Sequence, residues 1–154
     1  MAFQAHNFVL DAGQQLKDAG AVTADGAGTV SAAAAVFDLG AANAYARFAV
    51  VIDWTAIDIT TGDEAYDIQV QGAAASNFAT PYILVNRKLG DSTVTLQPVD
   101  TAPSGRLVLF GDNVAMTSAT DGSAEIATRY IRVYHDVAGT TPSINYTAFI
   151  VPVR

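Results

Sequence analysis

Residues 45–54, YARFAVVIDW, alternate with a period of two. Ala46, Phe48, Val50, Ile52 and Trp54 share one face, and Tyr45, Arg47, Ala49, Val51 and Asp53 share the other. Successive side chains of a strand point to opposite sides of its sheet, so this spacing predicts a strand. Its β-branched and aromatic content agrees. The second face is itself half apolar, which predicts a central position in the sheet. Trp54 continues the face of Phe48, Val50 and Ile52 and is expected in the core.

The same period recurs downstream. After a turn at Thr61-Gly62-Asp63, Tyr66, Ile68 and Val70 point one way and Asp67, Gln69 and Gln71 the other, giving one buried and one wet face. YILVNRK (82–88), STVTLQPV (92–99) and GRLVLFGDN (105–113) are further strand segments, and DTAPSG and DGSAE (121–125) read as turns. In RYIRVYHDV, Ile131 and Val133 share a face with Arg129, while Tyr130, Arg132 and Tyr134 share the opposite one. In PSINYTAFIV, Ile144, Tyr146, Ala148 and Ile150 alternate with Asn145, Thr147, Phe149 and Val151. The connector contains Gly139, which tolerates φ > 0, and Pro142, so these two strands are expected to lie antiparallel, within one sheet or as jelly-roll neighbours.

Residues 1–31 lack the alternation. They are small, polar and Gly-rich, with Phe8-Val9-Leu10 as a local apolar knot. Ala12 to Ala19 has helix propensity, limited by Gly13 and later glycines. This stretch is expected to be an extended N-terminal arm or loosely packed segment, with residues 32–154 as the β-sandwich domain. SAAAAVFDLG (31–40) is compatible with a helix or with a strand ending at Gly40. About seven to nine short strands separated by Gly/Pro/Asp turns predict an all-β antiparallel sandwich, with a jelly-roll favoured over an immunoglobulin-like arrangement.

Composition narrows the function classes. The chain has 154 residues, long enough for one domain with a substantial core. Hydrophobic residues make up 51% and charged residues only 15%, against roughly 25% charged in an ordinary domain. Much of the surface is therefore Ala, Gly, Ser, Thr, Asn and Gln, which suits an exterior covered by neighbours. The net charge is −7, with 13 Asp, two Glu and only Lys17 and Lys88 as lysines. Nucleic-acid binding wants clustered cations, so no nucleic-acid partner is expected. No long apolar run suggests a membrane span, and residues 1–20 lack a signal-peptide pattern.

The chemistry is sparse. With no cysteine, thiolate nucleophiles and zinc–cysteine sites are excluded. Two histidines, His6 and His135, cannot make a three-histidine metal site, and adjacent His135 and Asp136 face opposite ways on a strand. There is no GxSxG elbow and no phosphate-cradling loop. Asp58, Asp63, Glu64 and Asp67 cluster at a turn without calcium-loop spacing and read as solvated turn residues, though weak calcium binding there is left open. Asp11, Asp18 and Asp25 recur at seven-residue intervals with no apolar heptad beside them. Thirteen aspartates supply carboxylate pairs by chance, so no glycosidase is read from them. Asn145-Tyr146-Thr147 has the form of a glycosylation sequon and reads as strand chemistry. No enzyme, catalytic residue, cofactor or metal is expected. Tyr130, Arg132 and Tyr134 suit base or sugar stacking, or a protein interface; the acidic balance favours the interface.

Several stretches carry a resemblance: Phe37-Asp38-Leu39-Gly40, Ala65 to Gly72 (AYDIQVQG), Arg106-Leu107, Arg129 to Tyr134 (RYIRVY) and Gly139 to Ala148 (GTTPSINYTA). In this order they resemble the small jelly-roll capsid cement, or decoration, proteins of short-tailed bacteriophages, from about residue 36 onward. The resemblance implies a non-enzymatic structural protein of the virion. It would be made in the host cytoplasm and bound to the outer surface of the head, bridging major capsid protein subunits as a homo-oligomer, with a homodimer ahead of a homotrimer. It implies no catalytic residue and no cofactor. The competing expectation is a carbohydrate- or receptor-binding sandwich of a tail fibre or adhesin, which would expose Trp54 or paired tyrosines as a sugar platform.

Overall fold

The computed structural model describes residues 10–40, 45–90, 104–116 and 125–153. Among these, one 3-10 turn at Ala12–Gln14 is the sole helical feature. Six short strands come first: β1 (Gln15–Lys17), β2 (Ala21–Val22), β3 (Gly26–Ala27), β4 (Thr29–Val30), β5 (Ala33–Ala34) and β6 (Phe37–Asp38). Long strands follow: β7 (Arg47–Ile57), β8 (Ala65–Ala73), β9 (Tyr82–Gly90) and β10 (Gly105–Asp112). A small ribbon, β11 (Val114–Met116) with β12 (Glu125–Ala127), precedes β13 (Tyr130–Ala138) and β14 (Ile144–Val153). The strands expected at 92–99, most of the turn segments at 100–105 and 121–125, and His6 lie outside the described residues.

The long strands build two antiparallel sheets that pack on each other, giving an all-β sandwich. Sheet I runs β14–β7–β10 and sheet II runs β13–β8–β9. The core is made of the side chains that the period of two selects. Phe48, Val50 and Ile52 of β7 and Ile144, Tyr146, Ala148 and Ile150 of β14 meet Tyr66, Ile68 and Val70 of β8 and Ile131 and Val133 of β13. β7 is central, as its doubly apolar pattern predicts, and Ala49 and Val51 on its other face are also buried. Trp54 is half-buried against the core's margin. Its indole lies on Gly105 of the neighbouring strand, where a Cβ would come within 2.3 Å of the ring. The indole Nε1 is buried without a hydrogen-bond partner.

Residues 10–40 correct the expected arm. β1 and β2 pair with the outer edge of β14, and β3 and β6 pair with the outer edge of β13. The segment therefore crosses from one sheet to the other and closes that side of the sandwich. Leu16 sits in the core at 1% exposure. This burial, together with the ladder to β14, outweighs the weak helix propensity of residues 12–19. Polar groups fasten the same segment. Lys17 Nζ donates to the carbonyls of Asp18 (2.8 Å), Gly20 (3.1 Å) and Tyr146 (3.1 Å). Asp18 accepts from Ser31 N–H, and Asp25 from Val137 N–H. The carboxylate of Asp11, the first of the seven-residue series, instead accepts locally, from Gly13 N–H at the 3-10 turn.

β13 and β14 do not pair with each other, so of the two expected placements the shared sheet is the one not adopted. β13 pairs with β8, β3 and β6, whereas β14 pairs with β7, β1 and β2. Residues 139–143 form an arch between the sheets rather than a hairpin turn. The arch lets the apolar faces of both strands look at each other across the core, whereas a hairpin would set them side by side. Gly139 adopts φ 109°, and a Cβ there would lie 2.6 Å from the Asp63 carbonyl. The β7–β8 connection arches over at the same end, and Tyr66 joins the two: its hydroxyl donates to Asp58 O (2.6 Å) and accepts from Ser143 N–H (2.9 Å).

Candidate functional site

Tyr130, Arg132 and Tyr134 do share the outer face of sheet II, each half-exposed. They are occupied by the chain itself. The Arg132 guanidinium lies 4.3 Å from the Phe78 ring centre and 5.3 Å from that of Tyr134. Its Nε and Nη2 both donate to Gln71 Oε1. Gln71 Nε2 donates to Gln69 Oε1, Gln69 Nε2 to one Asp67 oxygen, and Asn86 Nδ2 to the other. The loop after β8 folds back so that Phe78, buried and at φ 52°, lies on the cation. The expected wet face of β8 is therefore closed at Gln69 and Gln71, which are 8% and 6% exposed. Burial lowers the Arg132 pKa from its ordinary value. Tyr130 stacks under Arg129, which makes a two-bonded ion pair with Asp38 and holds that carboxyl down at about 2, chiefly through the hydrogen bond. Phe78 has no periodic signal in the sequence; it sits in a loop between strands.

The acidic turn is built inward at Glu64. Glu64 is fully buried and accepts from the N–H groups of Thr61 and Gly62 and from the Thr61 hydroxyl. Asp63 accepts from the N–H and hydroxyl of Thr140. Asp58 caps Thr60. Hydrogen bonds from Thr61 and Thr140, first among the causes, hold the Glu64 and Asp63 carboxyls below their ordinary values. Of the expected solvated cluster only Glu64 is buried; Asp63 stays exposed while it bonds Thr140, and Asp58 and Asp67 are partly exposed. Among the described residues no three His, Cys, Asp or Glu side chains gather as a metal site.

His135 faces the core side of sheet II at 6% exposure, and its Nδ1 lies 2.8 Å from the Tyr146 hydroxyl of sheet I. Burial, aided by the nearby Lys17 ammonium, lowers its pKa to about 4, against a smaller opposing pull from Asp25. Burial also pushes the Tyr146 phenol up. Asp136 is exposed on the opposite face, so the two neighbours do not act together.

The outer face of sheet I is different. Val51 lies between Val108 and Phe149, and Ala49 between Phe110 and Val151, across the ladders. Phe110 is 61% exposed. One end of this apolar stripe carries the Arg106–Asp53 ion pair, with bonds of 2.6 and 2.8 Å. At the other end the Tyr45 hydroxyl accepts from Arg47 Nε and donates to Asp112 Oδ2. Here Tyr45, Arg47, Phe48, Phe110, Gly111, Asp112 and Val153 line a cleft of about 300 Å³. The half-apolar second face of 45–54 and the Phe149-Val151 alternation were its signals in the sequence. A platform built on Trp54 is not formed, because the indole turns onto Gly105.

The sheet edges complete the surface. β14 and β13 are covered by the N-terminal strands. β9 ends sheet II with a register shift against β8 and with Asn86, Arg87 and Lys88 exposed. β10 ends sheet I, and among the described residues no strand pairs with its outer side. In comparison with known proteins, the chain matches no protein-family model and no curated sequence.

Proposed function

We propose that this chain is a capsid decoration protein that binds the outside of a phage head and bridges major capsid protein subunits. The observation that carries the reading is the outer face of sheet I: an apolar stripe through Val108, Phe110, Phe149 and Val151, ended by Arg106–Asp53 and by Arg47 and Asp112. Exposed apolar patches bounded by polar residues mark interaction surfaces. The rest of the body suits a clamp. Glu64, Lys17 and Arg132 are committed to internal partners, which favours a rigid body. A rigid surface loses little entropy on being covered.

Strand order supports the jelly-roll reading. Taking β1 with β2, and β3 with β6, as two interrupted edge strands, each sheet has four positions. Successive positions along the chain then alternate between the sheets except at β8 and β9, which are neighbours in sheet II, in the manner of two interleaved Greek keys.

The test compares particles with and without the chain. Heads lacking it should release their genome at a lower temperature, and adding purified protein back should restore the midpoint. Unchanged release, or recovery of the chain on tail fibres, would remove the assignment. The second reading, a carbohydrate- or receptor-binding module, draws on the Tyr45–Phe110 cleft, which sets two exposed rings beside Arg47 and Asp112. Loss of host adsorption or glycan binding in Tyr45→Ala, with head stability unchanged, would favour it.

A further inference from the structure

We infer that the free edge of β10 is the site where a second copy of this chain adds, β10 against β10, to make one sheet continuous across two molecules. A naked edge presents a row of unpaired N–H and C=O groups to any incoming strand. The four edges of this sandwich are not treated alike. Two lie under β1–β2 and β3–β6, and β9 has a register shift and two exposed cations. Among the described residues β10 has neither cover nor interruption. It pairs residue for residue with β7 from Gly105 to Asp112, contains no proline, and carries the exposed Phe110.

Charge selects the occupant and its register. Arg106, Val108, Phe110 and Asp112 occupy the outer face of β10, and Leu109 the core face. A two-fold axis through Leu109 sets Arg106 opposite Asp112 of the second copy and Val108 opposite its Phe110, each twice. It also sets Leu107 opposite Gly111, where there is no side chain to clash. Opposite charges and aromatic–β-branched pairs are the favourable cross-strand neighbours. The Arg106 side chain bonds Asp53 through Nε and Nη2 and so retains Nη1 for this contact. With a net charge of −7, two copies repel over most of their surfaces. An edge whose own cation meets its own anion under two-fold symmetry is one place where they attract. The pairing also extends the stripe of Val108 and Phe110 across both molecules.

This deepens the proposed decoration role, for which the resemblance implies a homo-oligomer, and rests on that reading in this respect alone. The experiment needs no capsid, so its failure and that of the capsid assignment are distinguishable. Sedimentation velocity of the full chain should show a concentration-dependent dimer. Phe110→Lys, at an exposed position, should weaken it roughly tenfold, since two cross-strand pairs are lost at once, with thermal unfolding unchanged. In this cysteine-free chain, Val108→Cys/Phe110→Cys should cross-link through a short thiol-reactive linker. On mild oxidation without a linker, each single cysteine should form far less intermolecular disulfide, because residue 108 lies opposite residue 110 while its own copy is diagonal at about 7–8 Å, beyond disulfide reach. A chain that stays monomeric at its solubility limit overturns the inference. So does a dimer indifferent to Phe110→Lys, or single cysteines that oxidise to disulfide as readily as the pair.

Discussion

His135 shows how one side chain sets a property of the whole protein. Packed against Tyr146 and near Lys17 and Asp25, it takes up a proton only at about pH 4 in the folded chain, against about 6.5 when unfolded. Between these values the unfolded chain holds more protons, so acid favours unfolding there and stability rises with pH across the window. Asp38, Asp63 and Glu64, all held below their ordinary values, act in the same direction at lower pH, losing their contribution as they protonate. The melting temperature should therefore fall as pH drops from about 6.5 to about 4. In His135→Gln this part of the slope should disappear while the steeper loss at lower pH remains. A differential scanning series of both proteins checks it. That His135 faces inward was legible from the alternation of Ile131 and Val133. Its partner was not, because Tyr146 belongs to the opposite sheet. Lys17 and Asp25 were hidden for the same reason: their partners lie 129 and 112 residues away.

At the scale of elements, the connector at 139–143 shows where pattern reading stops. Two strands with one apolar face each, joined by Gly139 to Ser143, fit a hairpin and an arch equally well. The alternation says which side chains are inside, not which strand lies beside which. The choice is made by distant groups: Asp63 receives Thr140, and Tyr66 bonds both Asp58 and Ser143. Gly139 is the backbone condition for the arch, being in the left-handed region with the Asp63 carbonyl and Glu64 Cα against it. Gly139→Ala should cost about 2 kcal/mol or more, from backbone strain joined to the steric contact. Urea unfolding should show a lower midpoint with an unchanged slope. The candidate surface divides the same way. Tyr130, Arg132 and Tyr134 were legible as a shared face, but the loop that brings Phe78 over Arg132 carries no periodicity to read.

For the whole molecule, the strands of the sandwich were legible wherever one face is apolar over five or more residues. The N-terminal strands were not, because two- and three-residue strands are too short to show a period. Their importance is testable. Leu16→Ala should cost about 2–5 kcal/mol, as truncations in a packed core do, although the residue lies in a segment with almost no hydrophobic pattern. Chemical denaturation measures it, and a value near zero would mean that the segment does not close the core. The stitching of residues 10–40 to β13 and β14 also sets the order of events at the ribosome. The earliest strands to emerge have no ladder to join until the last ones have been made. The nascent chain therefore passes through a stage with β7 to β10 available but unclosed. Closure involves contacts of long sequence separation, which are slow to form. Yield in a producing cell should consequently depend on chaperone capacity and growth temperature more than on the final stability of the protein.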